Sequence, residues 1–438
     1  MQPVTIVQGG AYGSEGKGVV AAYLAEHEKF DVVVRTGAVN AGHTVYHNHI
    51  PYKMCQLPTA WVVPGVKLVI GAGALVHPEI LKAEVAMIRQ ATGEDIRDRL
   101  FIDPNAGIHD ASHTGRSTAS GRHYAIGATG KGSSEALIDK IRLRGKGYKT
   151  FGSTPHKTGY KVVNTADMLN YEIDKGRKVM LEATQGTLLD LHTGPYPYTT
   201  HKSTLPANWM AECGLSPTLP VDVVMVVRTY PIRVAGNSGP MSEEISWPTL
   251  ARGINESRRR HGTAPIVGDW AIVAFEQAVQ ISADRFDTPY RSNGLDQHYW
   301  SAAEREKYAE ALSEIHADAL KNLSMVALGE LSKLFELTTV TKKLRRVARL
   351  TRDDLRWAAL LCRPTRVFVT FMNYEFPEIW YTDPDFEIPG VLNIEQTGYL
   401  QNIEVACNAP VTHVSWGPES GHVLKTSEYA VNTTKFPV

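Results

Sequence analysis

The chain has 438 residues, 43% of them hydrophobic and 21% charged, and its 46 basic and 46 acidic side chains give a formal net charge of zero. That balance suits a globular chain with a large core and excludes a global basic field that would draw in nucleic acid or an anionic membrane; any anionic ligand must meet cations placed locally. Cys55, Cys213, Cys362 and Cys407 lie far apart with no CxxC pair, so neither a disulfide framework nor a zinc site is expected, and a reducing, cytoplasmic setting fits. The opening MQPVTIVQGG lacks a basic leader and a long apolar core, so no signal peptide is expected. No run approaches the roughly 18–20 apolar residues that span a bilayer.

Val4–Gln8 is a β-branched run followed by glycines, and the segment from Gly16 to Ala25 has helical character, so the chain opens strand, loop, helix. Asp31–Arg35 and Lys67–Gly71 read as buried strands, and Pro78–Arg89 as an amphipathic helix. Lys178–Glu182 and Val221–Arg228 are further strands, Asp353–Leu361 a helix, and Arg366–Phe371 and Val411–Ser415 strands again. Strands alternating with helices predict an α/β fold: a large, mainly parallel central sheet with helices on both faces. Asp284–Arg305, polar and aromatic with little periodicity, reads as a surface excursion. With no repeat and no linker composition, residues 1–438 are taken as one large domain with insertions.

Residues 9–18 read GGAYGSEGKG. Glycines let backbone N–H groups approach phosphate oxygens, the following helix N-terminus adds positive potential, and Lys17 is placed to neutralise a β- or γ-phosphate. The spacing GxxxxGK[ST] is nearly met, with Ala11 at the first glycine and Gly18 at the Ser/Thr; a glycine-rich turn with a surface lysine is the plainer reading. The run NAGHT, Asn40 to Thr44, is expected on a polar loop at a strand's carboxyl end, where α/β sites form.

GSEGKG at 13–18, NAGHT at 40–44, IGATGKG at 126–132, QGTLLD at 185–190, GPYPYTT at 194–200 and VSWGP at 414–418 follow one another in order along nearly the whole chain. Together they resemble the adenylosuccinate synthetase family. The resemblance implies a P-loop-like α/β fold with insertions and a Mg²⁺-dependent ligase that joins L-aspartate to C6 of a purine monophosphate. A base removes the N1 proton, O6 attacks the γ-phosphate of a nucleoside triphosphate, and the aspartate amine displaces the 6-phosphate. It assigns catalysis to positions Ser14, Lys17 and His43, with His43 stabilising or protonating the transferring phosphoryl. The triphosphate is assigned to Gly13, Glu15, Gly16, Lys17, Gly18, Gly42, His43, Thr44, Asn373, Gly417 and Pro418. The purine monophosphate falls to Ser14, Asn40, Thr129, Arg144, Gln185 and Thr200, and the metal to Ser14 and the Gly42 carbonyl. VTKKLRR at 340–346 resembles the aspartate loop, so Thr341, Lys343 and Arg345 are expected on the aspartate carboxylates. Arg142 and Arg144 flank the position, Leu143, where an arginine normally reaches the neighbouring subunit, a pattern that suggests a homodimer.

Two departures bear on specificity. The family's catalytic aspartate is replaced by Ser14, a poor base but a smaller one, leaving room for a 2-amino group and pointing to guanine in place of hypoxanthine. The family's guanine-reading TKLD stands here as TFMN, Thr370 to Asn373; Asn373 both donates and accepts, so GTP is disfavoured and ATP or dATP expected. Both departures, with RTYPIRVAGNSGP at 228–240, resemble the phage-type PurZ branch, which makes N6-succino-2-amino-2′-deoxyadenylate from dGMP. Ordinary use of IMP with GTP, and a nucleotide-binding regulator without ligase activity, are the alternatives.

Overall fold

The computed structural model describes residues 2–144, 147–285, 302–338 and 343–426. Ten strands form the central sheet: β1 (Val4–Gly9), β2 (Val32–Arg35), β3 (Lys67–Ile70), β4 (Leu100–Ile102), β5 (Lys161–Val162), β6 (Val179–Glu182), β7 (Val221–Arg228), β8 (Arg366–Thr370), β9 (Val411–Ser415) and β10 (Val423–Lys425). Their order across the sheet is β10-β9-β8-β7-β1-β6-β2-β3-β4-β5. Neighbouring pairs run parallel, except that β9 and β10 are antiparallel.

β1 lies at the middle, its Val4 paired with Val179 of β6 on one side and Val221 of β7 on the other. The valine-rich strands are apolar on both faces because both are covered. Val7, Val33, Met180, Val226 and Phe368 face a core shared with the helices Lys17–His27 and Pro78–Thr92. Ile6, Val34 and Leu181 face the opposite side, with the helices Thr165–Asp174 and Pro206–Glu212. Farther along that side, Met225, Val227 and Val369 meet the helices Arg352–Cys362 and Ile394–Cys407.

The predicted strands agree within a residue at each end, and Val411–Ser415 is found as expected. His43 and Thr44 differ from expectation. They open a short strand, His43–His47, paired antiparallel with Ile50–Met54, so NAGHT is only half loop. Asp284–Arg305 lies mostly outside the described residues, between the helices Asp269–Arg285 and Ala302–Asn322.

Between β7 and β8 the chain builds a second core. Ile232, Trp247, Ile254, Phe275, Ile315, Phe335 and Val347 pack together across the helices Trp247–Arg260, Asp269–Arg285 and Ala302–Asn322. Residues 251–260, ARGINESRRR, fall on the first of these helices. There Arg258 is buried, its guanidinium donating to both Asp383 carboxylate oxygens (2.9 and 3.0 Å) and to the Pro377 carbonyl at 2.7 Å.

Candidate active site

Because β1, β2, β6, β7, β8 and β9 are parallel, the loops that follow them emerge along one edge of the sheet, which is where α/β folds place their sites. Three of these strands end on a buried charge: Arg35 on β2, Glu182 on β6 and Arg228 on β7. Isolated charges do not survive in an interior, so each must be paired.

Gly10–Gly16 forms the glycine-rich loop expected to hold phosphate. Gly16 caps the helix Lys17–His27 at φ 85° and Gly13 sits at φ 99°, left-handed conformations that side chains resist. Gly9 has no space for a Cβ: one would lie 2.6 Å from the Gln185 carbonyl and 2.8 Å from Lys17 Nζ. The loop is braced from within. One oxygen of the buried Glu15 carboxylate accepts from the Ala11 and Gly13 amides (3.0 and 2.7 Å), and the other accepts from Lys17 Nζ at 2.7 Å. Thr370 Oγ1, at the end of β8, donates to the Glu15 carbonyl at 2.8 Å. Lys17, the first residue of the helix, is thus buried with a carboxylate partner and is not a surface lysine.

His43 packs against the start of that helix; a Cβ on Gly18 would lie 2.9 Å from the His43 Cβ. His43 Nδ1 is 2.5 Å from Glu182 Oε1, the oxygen that Arg35 Nη1 also contacts at 3.0 Å. The Thr59 amide and hydroxyl donate to the other Glu182 oxygen (2.7 and 3.0 Å). Burial, aided by the Arg35 charge, lowers the His43 pKa from 6.5 to about 4 against the pull of Glu182. At neutral pH the ring is therefore uncharged, with its proton on Nδ1 facing the carboxylate and the Nε2 lone pair left for a ligand. Burial thus disfavours an imidazolium in the free protein. Arg35 also donates to the Ala41 carbonyl at 2.6 Å, fixing the turn that carries Asn40 and Gly42.

Gln185 follows β6 at φ 63°, a strained position for a side chain with a Cβ. Its loop packs backbone to backbone on the phosphate loop, with the Leu188 amide donating to the Ala11 carbonyl at 3.0 Å. The Thr200 amide donates to the Leu189 carbonyl at 2.8 Å, so Gln185 and Thr200 belong to one folded segment. Thr129 is exposed on a loop with Gly127, Gly130 and Gly132 all at positive φ. His109 Nε2 and Thr114 Oγ1 hold that loop at the Lys131 carbonyl (2.8 and 3.1 Å). Arg144 is exposed at the end of the helix Ser133–Leu143.

Ser14 is placed among cations. Arg345 Nη1 donates to Ser14 Oγ at 3.3 Å and Arg228 Nη1 to its carbonyl at 3.4 Å. Lys343 is held elsewhere, its ammonium 2.9 Å from Glu310 and 2.7 Å from Glu314. Thr341 lies outside the described residues. Asn373, just past β8, is buried with neither amide atom hydrogen-bonded, a cost that a ligand edge able to donate and accept removes. A Cβ on Gly417 would lie 2.3 Å from His422 Nδ1, so the Trp416–Pro418 turn is closely packed as well.

Sequence reasoning missed Glu182, Arg35, Arg228 and the bracing role of Glu15. A signal was there for three of them: a lone charge closing an otherwise apolar strand.

The donor set also bears on Mg²⁺. Glu15 and Glu182 are committed to Lys17 and to the Arg35–His43 pair, and the described residues contain no cluster of three metal-ligating side chains. The chain offers the Gly42 carbonyl and the Ser14 oxygens, which already accept from two guanidinium groups. This fits a Mg²⁺ that arrives with a nucleotide and keeps mostly phosphate and water ligands.

A parallel sheet with a braced glycine loop and a carboxylate–histidine pair at its carboxyl edge is the architecture of a nucleotide-binding enzyme. A profile of the adenylosuccinate synthetase family matches residues 6–158 and 146–282. The adenylosuccinate synthetase of Methanocaldococcus jannaschii is 36% identical over 245 residues, 55% of this chain and 68% of that protein. The enzyme of Thermococcus sibiricus is 35% identical over 247 residues, 56% and 70% of the two chains. The fold is shared with the cyanophage S-2L succinoaminodeoxyadenylate synthetase (PurZ) bound to dGMP and dATP as an energy donor, at TM-score 0.65 and 24% identity, covering 97% of this chain and 96% of that one. It is shared equally with fully ligated adenylosuccinate synthetase from Plasmodium falciparum, at TM-score 0.65, 16% identity and coverage of 97% and 100%. The chain belongs to the adenylosuccinate synthetase family, whose members are ligases that form a C–N bond with aspartate.

Proposed function

We propose that the protein joins L-aspartate to C6 of dGMP with ATP or dATP as phosphoryl donor, giving N6-succino-2-amino-2′-deoxyadenylate, a precursor of 2-aminoadenine in DNA. The observation that carries this reading is Ser14. Where the family places a carboxylate, this chain has a hydroxyl that accepts from Arg345, and the shorter side chain leaves space beside purine N1 for a 2-amino group. The free amide of Asn373 supports an adenine donor: its oxygen accepts from N6–H and its NH₂ donates to N1. The dGMP and dATP of the S-2L structure agree with both points.

The chain's own groups divide the work. Lys17 and the loop amides receive the triphosphate, Lys17 exchanging part of its contact with Glu15 for phosphate. His43, oriented by Glu182, presents Nε2 to the transferring phosphoryl, where it shares a proton brought in on the γ-phosphate, and the negative charge gathering there raises the ring's proton affinity. The Gly42 carbonyl would hold a Mg²⁺ that, when bound, would supply charge neutralisation. Gln185, Asn40, Thr129 and Thr200 take the monophosphate, and Arg345 an aspartate carboxylate. The helix Ser133–Leu143 exposes Ile138 and Ile141, an apolar strip suited to a second copy of the chain and so to a homodimer in the cytoplasm.

The 35–36% identity to enzymes named adenylosuccinate synthetase favours a second reading, IMP with GTP. Phosphate release with aspartate, Mg²⁺ and ATP separates the two. Turnover with dGMP and not IMP supports the proposal; turnover with IMP alone removes it.

A further inference from the structure

Replacing the family's aspartate by Ser14 leaves the N1 proton without an acceptor on the phosphate loop. The structure brings a carboxylate from a distant part of the chain to within one shared guanidinium of Ser14. Residues 336–338 and 343–345 pair as the base of a hairpin: the Arg345 amide donates to the Glu336 carbonyl at 2.9 Å and the Thr338 amide to the Lys343 carbonyl at 2.8 Å. Of the outer residues of that base, Arg345 reaches the glycine loop directly and Glu336 through Arg228. Arg345 donates to Ser14 Oγ. Glu336 shares the Arg228 guanidinium with Ser14, since the same Nη1 lies 3.4 Å from Glu336 Oε2 and 3.4 Å from the Ser14 carbonyl.

The other carboxylate beside Ser14, Glu15, is sealed in and fully used. Glu336 keeps 29% of its side chain exposed while Arg228 beneath it is buried. Arg228 itself stacks on Phe371 at 3.8 Å, and Tyr374 Oη donates to Glu336 at 3.3 Å. Burial alone would raise the Glu336 pKa, but the charge and hydrogen bond of Arg228, with the charge of Arg345, outweigh it and hold the group below its ordinary value. It is a carboxylate at neutral pH, fixed on one side and open on the other.

We propose that Glu336 is the base that takes the purine N1 proton. The N1–H pair becomes the N1=C6 bond and the C6=O6 pair moves onto O6. A bond then forms from O6 to the γ-phosphorus as the bond to the β-phosphate oxygen breaks, and the nucleoside diphosphate leaves with that pair. Glu336 ends protonated. The inference rests on the ligase reading but not on which purine is used, because IMP and dGMP both carry the N1 proton.

The test is E336Q in the full chain, whose amide oxygen still accepts from Arg228. With whichever of dGMP or IMP the unaltered protein turns over, kcat should fall at least 100-fold, dGMP or IMP binding by calorimetry should change less than threefold, and the acid limb of the kcat–pH profile should vanish. A kcat within fivefold of the unaltered protein, or a retained acid limb, overturns the assignment. If E336Q does not fold, E336D replaces it, keeping the ion pair while withdrawing the carboxylate by one methylene: a tenfold loss in kcat at unchanged KM supports the proposal, and unchanged kcat overturns it. Failure of dGMP with success of IMP removes the dGMP reading and leaves this test intact.

Discussion

His43 and Glu182 meet at 2.5 Å across 139 positions of sequence, and the carboxylate that orients the imidazole is itself held by Arg35. The three form a buried unit with one positive, one negative and one neutral member. His43→Ala should lower kcat by about 10²–10⁴-fold, the usual range for a positioned proton-transfer group, with monophosphate binding preserved. Glu182→Gln should lose part of that rate by freeing the ring orientation. Glu182→Ala should instead lower stability by about 3–5 kcal/mol, since it strands Arg35 in the interior. Steady-state kinetics and chemical denaturation of the three variants separate these effects; full activity in His43→Ala removes the histidine from the chemistry.

Ser14→Asp tests the purine pocket. The added carboxylate projects into the space assigned to the 2-amino group and draws Arg345 and Arg228 toward itself. The expected result is a loss of more than tenfold in kcat/KM for dGMP, with IMP relatively favoured. Unchanged dGMP kinetics would falsify the steric account.

Asn373→Asp tests the donor. A carboxylate accepts from guanine N1–H and N2–H but cannot donate to adenine N1, so the ratio of kcat/KM for GTP over ATP should rise at least tenfold. The measurement is phosphate release at matched triphosphate concentrations, and an unmoved ratio places the base elsewhere.

Acid should destabilise the protein over a defined window. Burial lowers the pKa from 6.5 to about 4 in His43, His109 and His316, and to about 3 in His201. In that interval the unfolded chain binds protons that the folded chain refuses. The stabilisation is fully present above pH 6.5 and is lost as pH falls toward 4. Thermal melts should show Tm dropping through that range, and His316→Gln, in the second core, should lessen the drop. A flat Tm between pH 6.5 and 4.5 counts against it.

The sheet was legible because its buried strands are continuous Val, Ile and Leu runs; VVVR, KLVI and VDVVMVVR announce themselves. The hairpin His43–Met54 was not, since HTVYHNHIPYKM alternates little and lies half exposed. Leu100–Ile102 and Lys161–Val162 are too short to carry a pattern. The glycine loop could be found from local spacing, whereas Ser14 stood out only through the family resemblance. Glu182 and Arg228 left a trace, a charge closing an apolar strand, but their roles, like that of Glu336, come from contact with residues 108 to 214 positions away. In the expected aspartate loop, Arg345 donates to Ser14, while Lys343 pairs with Glu310 and Glu314 on a helix whose place the sequence did not reveal.

The carboxylate of Glu15, seated inside the glycine loop on two amides and Lys17, has a thermodynamic consequence. A loop that must organise around an arriving polyphosphate loses conformational entropy at the moment of encounter, and that loss weakens affinity. Here an internal anion has already imposed the shape, so the ordering belongs to folding rather than to binding. On the proposed reading, capture of a nucleotide then requires little more than an exchange of partners by one ammonium group. The loop is thereby freed from the common compromise between a tight grip and a slow search for it.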